Sequence, residues 1–586
     1  MSKKELMFGN AAVARGFWEA GCTFASSYPG TPSTEVTEFA AETAEIYAEW
    51  APNEKVALES AFGASLAGAR SFAAMKHVGL NVAADPLFTM SYTGVNGGLA
   101  VVVADDPGMH SSQNEQDSRH YAMGAKLPML EPADAAECRA YAMAALELSE
   151  RFDAPVLFRL TTRVAHSRSP VETGERTEPP RRAYQKDPGK YVMMPANARG
   201  RHVAVEARTE ALKAFAETTP LNRVVPGDRR IGVVAAGIAY QYAREALGDR
   251  AAYLKLGLVN PLPEKKIREF AASVDRLVIV EELDPVIETQ IRAMGIPCEG
   301  KALFSRIGEY TARAIAAALL GETAETVAVP PVPGRPPVLC PGCPHRGVFY
   351  VLSKLKLFVS GDIGCYTLGA LPPLGALDTT LCMGASVSGL HGWCKAAGDE
   401  AAKRSVAVIG DSTFIHSGIT GLINIVYNGS PATVLILDNS ITGMTGHQQN
   451  PCTGLTLKNA PAPAVDLTAL CHAVGVRRVR TVDPFDLAAV ETALREETAA
   501  DEPSVIIVKR PCALLKPVVA QRKPPVTVER DACRRCRACM RIGCPAISFD
   551  REKGAVVDTT LCVGCGLCGQ MCAFGAIRGG SGTRVI

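Results

Sequence analysis

Two closely spaced runs of cysteines restrict most strongly what this 586-residue chain can fold into. The runs have these members: Cys533-x-x-Cys536-x-x-Cys539-x4-Cys544-Pro545 and Cys562-x-x-Cys565-x-x-Cys568-x3-Cys572. Three cysteines at C-x2-C-x2-C spacing present their thiolates from one tight loop, and a more distant fourth thiolate completes a cage around a [4Fe–4S] cluster. The segment is therefore predicted to hold two such clusters and to transfer electrons one at a time.

The fourth cysteine of each run determines how the eight thiolates are shared. In a module with two clusters, this cysteine ligates the cluster of the other run. We therefore predict two sets of ligands: Cys533, Cys536, Cys539 with Cys572, and Cys562, Cys565, Cys568 with Cys544. Four residues, rather than the usual three, precede Cys544 in the first run. We expect this extra residue to reshape the loop without removing a ligand.

Length and charge limit the classes of protein that the rest of the chain can form. A chain of this length is expected to contain roughly three to five domains. With 62 basic and 60 acidic residues, the net charge of +2 gives no field that favours nucleic acid or an anionic membrane. No apolar run approaches the roughly 18 residues of a membrane span. The start, MSKKELMFGN, lacks the apolar part of an export signal, and we expect a reducing cytoplasm.

Alternating apolar runs and helical stretches predict α/β domains before the cysteine-rich module. The predicted boundaries are 1–200 for a first domain with a polar trailing stretch from about 166, 201–328 for a second, 329–337 for a proline-rich linker, 338–515 for a third, 516–525 for another linker, and 526–586 for the module. Buried strands are predicted at Gly98–Ala104, Pro155–Leu160, Ile231–Ala236, Leu277–Val280, Val406–Ile409, Thr433–Leu437 and Val505–Val508.

A carboxylate and an amide follow two predicted strands of the third domain. Asp411 comes directly after the first of these strands and its glycine, and Asn439 follows the second. Such a pair can share one Mg²⁺, which keeps few protein ligands and takes others from phosphate; the Ile441 carbonyl is a third candidate ligand. The alternative is that Asp411 caps a helix and Asn439 occupies a turn. The placement at two strand ends favours the metal site, similar to the thiamine diphosphate signature, with Ser412 and Ser440 at positions usually held by glycine and asparagine.

Further motifs extend this similarity over nearly the whole chain. They are Tyr28–Glu35 (YPGTPSTE), Ala57–Ser60 (ALES), Lys76–Pro86 (KHVGLNVAADP), Ser111–Asp117 (SSQNEQD), Cys340–Arg346 (CPGCPHR), Gly361–Cys365 (GDIGC) and Thr442–His447 (TGMTGH). Together they resemble the large (α) subunits of indolepyruvate:ferredoxin oxidoreductases, within the thiamine diphosphate-dependent 2-oxoacid:ferredoxin oxidoreductases. The resemblance implies three α/β domains of transketolase-like type plus a small C-terminal bacterial-type ferredoxin domain with two [4Fe–4S] clusters.

The resemblance also implies roles for individual residues. Domain 1–200 is expected to face the aminopyrimidine of thiamine diphosphate, domain 201–328 to be transketolase C-terminal-like, and domain 338–515 to bind the diphosphate and Mg²⁺. Glu59 would be the catalytic glutamate at the pyrimidine N1′, where a carboxylate promotes deprotonation of the cofactor. Without the resemblance, Glu59 is one surface glutamate among many.

The remaining implied site residues fall into two groups. Those expected at the cofactor, besides Glu59, are Thr31, His345, Asp411, Ser412 and Asn439, with Asp411, Asn439 and Ile441 at the Mg²⁺. Those expected at the substrate are Thr31, His110, Gln113 and His447. For the histidines the alternative of an ordinary structural role stays open.

Four more cysteines are similar to ligands of a third cluster in related thiamine-binding subunits. Cys340 and Cys343 begin the third domain, Cys365 follows a probable strand, and Cys512 follows the last predicted one. Their spacing does not match a zinc ribbon, which has two close pairs. The alternative is that they are buried core cysteines.

The resemblance implies oxidative decarboxylation of arylpyruvates such as indole-3-pyruvate. Coenzyme A would accept the acyl group, and the electrons would pass through [4Fe–4S] clusters to an external ferredoxin. A smaller β subunit and an α2β2 assembly are expected. The alternatives are another 2-oxoacid, a non-oxidative decarboxylase, or an electron-transfer subunit with non-catalytic thiamine domains. Five arginines around the first cysteine run either dock an acidic ferredoxin or neutralise the clusters: Arg530, Arg534, Arg535, Arg537 and Arg541.

Overall fold

A computed structural model describes residues 3–322, 330–334 and 336–580 of the chain. It divides the chain into two compact units, Met1–Val329 and Pro330–Ile586. The predicted linker at 329–337 lies partly outside the described residues, at positions 329 and 335. The predicted domain boundaries therefore remain predictions, whereas the sheets within each unit are defined.

The first unit alternates strands and helices. Its strands are β1 (Lys3–Phe8), β2 (Phe24–Ser27), β3 (Tyr47–Trp50), β4 (Ser71–Lys76), β5 (Leu99–Asp105), β6 (Met129–Leu130), β7 (Val156–Thr161), β8 (Arg168–Thr173), β9 (Arg223–Val225), β10 (Gly232–Ala236), β11 (Ala252–Leu256), β12 (Leu258–Asn260) and β13 (Leu277–Val280). Its helices are α1 (Gly9–Glu19), α2 (Thr34–Ala41), α3 (Glu54–Leu66), α4 (His77–Val82), α5 (Ala84–Thr93), α6 (Arg119–Ala125), α7 (Ala135–Phe152), α8 (Thr162–His166), α9 (Pro188–Tyr191), α10 (Pro195–Thr218), α11 (Gly237–Leu247), α12 (Glu264–Ala272), α13 (Val286–Ala293) and α14 (Ala312–Leu320).

A seven-stranded sheet organises the first unit, in the order β12-β6-β7-β5-β4-β2-β3. Its strands are parallel except β12, which pairs antiparallel with β6. Every residue of β5 is buried, as expected for a parallel strand covered on both faces. Since β12 follows the first strands of the second predicted domain, that domain contributes an edge strand to the first sheet.

A four-stranded sheet, β13-β10-β11-β9, follows in the same unit. Its residues Val234, Leu254 and Ile279 share one hydrophobic core with Leu58 and Val101 of the first sheet and its helices. The two predicted domains of this unit are therefore packed through a common core.

The strands that the sequence predicts in the first unit are confirmed to within one residue at either end. The polar stretch predicted from about 166 is more ordered than expected, because β8 within it pairs antiparallel with β1. Residues of β8 alternate between exposed and buried positions without an apolar run, so the pattern gives no strand signal there. Helix α10 crosses the predicted boundary at 200/201.

The second unit begins with a second α/β fold and ends with small antiparallel ribbons. Its strands are β14 (Phe358–Gly361), β15 (Thr379–Thr380), β16 (Ser405–Gly410), β17 (Thr433–Asp438), β18 (Arg478–Val482), β19 (Ser504–Lys509), β20 (Thr527–Val528), β21 (Ile547–Asp550), β22 (Gly554–Val557) and β23 (Ile577–Arg578). Its helices are α15 (His345–Leu355), α16 (Ala385–Ala397), α17 (Asp399–Ala402), α18 (Asp411–Thr413), α19 (Ile419–Tyr427), α20 (Leu467–Ala473), α21 (Leu487–Thr498), α22 (Lys516–Ala520) and α23 (Leu567–Gln570).

A six-stranded parallel sheet forms the centre of this unit, in the order β15-β14-β16-β17-β19-β18. Alternate residues of β16, β17 and β19 enter two separate cores, one on each face of the sheet. The three strands predicted here are confirmed with one additional residue at one or both ends.

The cysteine-rich module forms the ribbons β20–β23 and β21–β22. Its residues Ile542 and Leu567 belong to the same hydrophobic core as one face of the six-stranded sheet. Gln570 adds two hydrogen bonds to that block, accepting from Leu487 N at 3.2 Å and donating to Phe485 O at 2.6 Å. The module is thus packed against the third predicted domain, and part of the linker predicted at 516–525 is helical, as α22.

In the part of the chain that the structure describes, none of the helices has the length and the apolar character required to cross a membrane.

Candidate cofactor and cluster sites

The polar residues predicted as a metal site lie at one edge of the six-stranded sheet. Parallel strands place their carboxyl ends at the same edge, where ligands bind in folds of this type. Gly410 of β16 pairs with Leu437 of β17, so Asp411 and Asn439 follow neighbouring strand ends. The loops after β14 and β19 reach the same edge and bring Cys365 and Cys512 with them.

Asp411 is the first residue of α18 and is only 3% exposed. Burial, together with the charge of the neighbouring Asp438 carboxylate, raises the pKa of Asp411 to about 7. Asn450 donates a hydrogen bond from Nδ2 to Asp411 Oδ2 at 3.3 Å. Two buried carboxylates at adjacent strand ends repel each other unless a cation lies between them or beside them. This donor set fits a divalent cation with oxygen ligands.

Asn439 is fixed from three directions. Its Nδ2 donates toward His345 Nε2 at 3.4 Å, its Oδ1 accepts from Ile441 N at 3.3 Å, and its backbone carbonyl accepts from Cys512 N at 2.9 Å. Burial lowers the pKa of His345 to about 4, so the imidazole is neutral and its Nε2 can accept the amide proton. The loop from Asn439 to Ile441 is therefore held in one conformation without needing a bound ion.

Ser412 and the following loop form a hydroxyl and amide network. Thr442 donates from Oγ1 to Ser412 Oγ at 3.1 Å, and Asn450 donates from Nδ2 to Thr442 Oγ1 at 3.3 Å. Asn450 and Asp438 were missed as site residues by the sequence reasoning. The available signal was their position: Asp438 precedes Asn439, and Asn450 lies three residues beyond the Thr442–His447 motif.

The loop after β14 is held by a buried carboxylate. Asp362 is fully buried and accepts hydrogen bonds from Gly384 N at 2.9 Å and Ser386 N at 3.0 Å, at the start of α16. The ring of Tyr366 lies so close to Gly410 that a Cβ there would come within 2.8 Å of it. These contacts set the position of Cys365 relative to the end of β16.

Cys340, Cys343, Cys365 and Cys512 are brought together although they come from three separate segments. Burial raises the pKa of Cys343 to about 12 and that of Cys365 to about 11. The charges of neighbouring cysteines raise both values further, Cys340 and Cys365 acting on Cys343, and Cys512 and Cys340 acting on Cys365. Buried thiols with high pKa values that repel one another when ionised need a strongly positive partner to become thiolates, which an iron cluster supplies.

His447, predicted near the substrate, lies beside this cysteine set. Its Nε2 is 3.9 Å from Cys512 Sγ, its side chain is exposed, and its backbone φ is 71°. His447 therefore lies next to the proposed cluster ligands, and its role near the substrate stays a prediction.

Two cavities divide the eight C-terminal cysteines into the two sets that their spacing predicts. One cavity is lined by Cys533, Cys536, Cys539 and Cys572, and another by Cys544, Cys562, Cys565 and Cys568. The cysteines surround these spaces rather than converge on one point: within the described residues, no three His, Cys, Asp or Glu side chains lie close enough to ligate a single metal ion. Each set of four thiols fits the ligands of a four-iron cluster.

The first unit holds the other predicted residues. Thr31 lies after β2, and its carbonyl accepts from Ser111 Oγ at 3.4 Å. Lys76, at the end of β4, donates from Nζ to Ser111 O at 2.6 Å, and burial lowers its pKa to about 8. Lys76 belongs to one of the quoted motifs but was not predicted as a site residue. The structure therefore places a buried lysine next to the segment that contains Thr31.

Glu59, His110 and Gln113 are all exposed in the first unit. The Glu59 side chain on α3 is 44% exposed and forms an ion pair with Lys55, one turn earlier. His110 Nε2 lies 3.0 Å from Glu309 Oε2, and Gln113 is on the surface of the loop after β5. The geometry of the isolated chain thus leaves the roles of these three residues as proposals.

Comparison with family models and curated proteins gives consistent matches over the chain. Residues 15–218 match the family described as pyruvate flavodoxin/ferredoxin oxidoreductase, thiamine diP-bdg. Residues 362–508 match the thiamine pyrophosphate enzyme C-terminal TPP binding domain, and residues 555–578 match the 4Fe-4S binding domain. These matches confirm the predicted fold class and the binding of thiamine diphosphate and of an iron–sulfur cluster.

Three curated relatives share the description indolepyruvate oxidoreductase subunit IorA. They come from Archaeoglobus fulgidus, Pyrococcus horikoshii and Methanothermobacter thermautotrophicus, and are 38%, 40% and 41% identical to the chain, respectively. Each alignment covers 98% of this chain and 97% of the relative. The likeness therefore includes both units and the cysteine-rich module.

Replacing Asp411 by alanine is expected to weaken Mg²⁺-dependent binding of thiamine diphosphate by at least about 100-fold. The change removes the Asp411 carboxylate from the buried site proposed for the cation. The loss of one charged partner from such a site costs about 3–5 kcal/mol of binding free energy. Isothermal titration of thiamine diphosphate with and without Mg²⁺ measures the effect. Asp399→Ala, on the exposed helix α17 of the same block, is the control and should bind normally; normal binding by Asp411→Ala would refute the metal assignment.

Replacing Cys365 by alanine is expected to lower the iron content from about twelve to about eight atoms per chain, because one ligand of a third four-iron cluster is lost. Iron quantification on anaerobically purified protein measures the change. Cys394→Ala, a buried cysteine outside the three sets, should keep the parental value. A parental protein with about eight irons, unaltered in Cys365→Ala, would show that Cys365 does not ligate a cluster.

Proposed function

The chain belongs to the family of the IorA subunits of indolepyruvate oxidoreductase, and on that premise we propose that it is the large subunit of an arylpyruvate:ferredoxin oxidoreductase. Indole-3-pyruvate and related aromatic 2-oxoacids are the substrates, and coenzyme A is the acyl acceptor. One 2-oxoacid and one coenzyme A thiol give an aryl-acetyl-CoA, CO2, one proton and two electrons, and the electrons reduce two ferredoxins. The observation that carries the proposal is the identity of 38–41% over 98% of the chain to the three relatives.

Thiamine diphosphate, when bound, supplies the electron sink that allows the carbon–carbon bond next to the keto group to break. The residues of the chain bind and orient it. Asp411, Asn439 and the Ile441 carbonyl would hold the Mg²⁺ of the diphosphate, with Ser412 as a neighbouring cofactor contact, and neutral His345 keeps the Asn439 amide in place. The fit rests on the buried carboxylate of Asp411, whose pKa is raised by burial and by the charge of Asp438. Asp438 itself is paired with Lys509, with Nζ 3.2 Å from Oδ2, so Asp411 is the carboxylate that a divalent cation would stabilise.

Glu59 holds a proton at the pyrimidine N1′ in this proposal. The side chain is exposed and paired with Lys55 in the isolated chain, and a surface ion pair contributes only about 0–1 kcal/mol. Replacing the ion pair between Glu59 and Lys55 by a hydrogen bond between Glu59 and the pyrimidine nitrogen therefore costs little free energy. Thr31 and Lys76 are the residues proposed to face the substrate carboxylate, since a buried ammonium next to Thr31 suits an anion.

In the proposed route, three sets of cysteines would hold the clusters through which the electrons leave. The set with Cys340, Cys343, Cys365 and Cys512 lies at the same sheet edge as the Mg²⁺ ligands. Pro341 and Gly342, between Cys340 and Cys343, also line the cavity of the set with Cys544. Burial raises the pKa of Cys568 in that set, and the charge of Cys539, from the set with Cys533, raises it further, so these two sets also lie near each other. The set with Cys340, Cys343, Cys365 and Cys512 is called the strand-end set. The proposed order of transfer is the strand-end set, then the set with Cys544, and finally the set with Cys533.

The proposed assembly includes a smaller β subunit in an α2β2 complex and an external ferredoxin. The relatives are described as subunits, which supports a partner chain. Exposed arginines surround the set with Cys533, and a basic surface there suits an acidic ferredoxin.

A panel of 2-oxoacids tests reaction class and side-chain preference together. The purified complex is supplied anaerobically with coenzyme A, Mg²⁺, thiamine diphosphate and a viologen acceptor. Indole-3-pyruvate and phenylpyruvate should give higher kcat/KM than pyruvate or 2-oxoglutarate, and viologen reduction should require coenzyme A. Preference for an aliphatic 2-oxoacid would overturn the substrate, and aldehyde formation without an acceptor would overturn the oxidative reaction.

Replacing Glu59 by glutamine is expected to lower turnover by about 10²–10⁴-fold, the usual contribution of a positioned acid–base group. The iron content and the affinity for thiamine diphosphate should stay near the parental values, because the amide keeps the size of the side chain. Lys55→Gln is the matched control and should retain turnover. Full activity of Glu59→Gln would contradict the role given to this carboxylate.

A further inference from the structure

Arg346, on the first turn of α15, is a fully buried arginine that no step of the proposed reaction uses. Its side chain is only 2% exposed. The guanidinium donates from both Nη atoms to four backbone carbonyls. The acceptors are Leu339 O, Cys340 O, Ile542 O and Gly543 O. Arg346 thus joins the loop before α15 to a loop of the cysteine-rich module.

The loop that Arg346 binds in the module is the one with the extra residue before Cys544. Residues Ala538–Ile542 form a short 3-10 turn, and Gly543 ends it with a φ of 67°. A Cβ at Gly543 would come within 2.9 Å of Pro373 and 3.4 Å of Arg346 Nη1, so the loop approaches the block closely. This loop therefore presents two carbonyls to a guanidinium that lies outside the module.

The guanidinium charge lies between two sets of cysteines. Arg346 lines the cavity of the set with Cys544. On its other side, the guanidinium donates from Nη2 to the backbone carbonyl of Cys340, a member of the strand-end set, at 3.1 Å. Its four partners are neutral carbonyls, and its buried Nε has no hydrogen-bond partner. A buried cation with neutral partners is costly unless an anion lies nearby, and a cluster ligated by four thiolates is such an anion.

We propose that Arg346 is a positioning residue for electron transfer between the strand-end cluster and the neighbouring cluster of the module. The clamp on Ile542 and Gly543 fixes the distance between the two clusters. The charge stabilises the reduced, more negative form of each cluster and so raises its midpoint potential, since net charge and hydrogen bonds to sulfur set these potentials. The inference rests on the proposed function in one respect, the presence of the strand-end cluster. The presence of the module cluster does not depend on that function.

Three variants of the full chain, purified with its partner subunit, test this role. Arg346→Gln removes the charge, Arg346→Lys keeps the charge but loses the forked clamp, and Arg541→Gln removes an exposed charge from the same loop. Iron content and reductive titration followed by electron paramagnetic resonance are measured for each. In Arg346→Gln, the midpoint potential of at least one cluster should shift to more negative values, whereas Arg346→Lys and Arg541→Gln should show a clearly smaller shift.

An unchanged midpoint potential in iron-replete Arg346→Gln would overturn the proposal. If Arg346→Gln loses iron, the result for Arg346→Lys decides the test. Retained iron with a near-parental midpoint potential in Arg346→Lys supports the role of the charge. Iron loss, or an equal negative shift of the potential despite the retained charge, refutes it. Iron content of the parental protein separates this test from that of the function. With about eight irons, the strand-end cluster is absent and the distance argument fails, but the shift of the module cluster is still expected.

Discussion

The parallel register of β14, β16, β17 and β19 is the constraint on which the chemistry of the second unit depends. Because these strands run in one direction, the four loops that follow them meet at one edge. This brings Cys365, Asp411, Asn439 and Cys512 to one place from positions that are far apart in sequence. The register of these strands is fixed because alternate side chains fill the two cores on opposite faces of the sheet. A shift of one strand by one residue would move the side chains of each core to the opposite face. The packing of the sheet thus fixes the spacing of the cofactor ligands relative to the cysteines.

Features with a local sequence signal could be predicted. β16 and β17 are runs of β-branched and leucine residues that end at a glycine or an aspartate, so both their ends and the polar residues after them were visible. The cysteine sets also follow from spacing, because the loops that hold them are short. The edge strand β8 could not be predicted, since its pairing with β1 depends on a segment more than 150 residues away. Asn450 and Arg346 lie in or near the quoted motifs, but they were missed because the partners that mark their roles are distant in sequence: Asp411 for Asn450, and the Ile542 and Gly543 carbonyls for Arg346.

The candidate residues of the two units differ in how completely the single chain prepares them. Asp411 and Asn439 are buried and already held by hydrogen bonds from Asn450 and Cys512, so little ordering is left for a bound ion to supply. Glu59 is exposed and pairs with a flexible lysine. A carboxylate gains catalytic power when it is shielded from water, since burial raises its pKa toward that of the group it serves. The second unit is therefore preorganised around Asp411 and Asn439, whereas the role proposed for Glu59 in the first unit requires its carboxylate to be shielded from water.

The loop before Cys544 gives a physical link between the two halves of the second unit. A C-x2-C-x2-C run by itself needs only its own loop to present three thiolates. Here the lengthened segment ends in two carbonyls that are bound by Arg346, which lies on α15 almost two hundred residues earlier. The arginine is buried among neutral partners, and its cost is offset only if the sulfur-rich cavity next to it is negatively charged. The midpoint potential of the module cluster then depends on the whole second unit. An isolated module would keep its cysteines but lose the Arg346 guanidinium that its loop carbonyls bind.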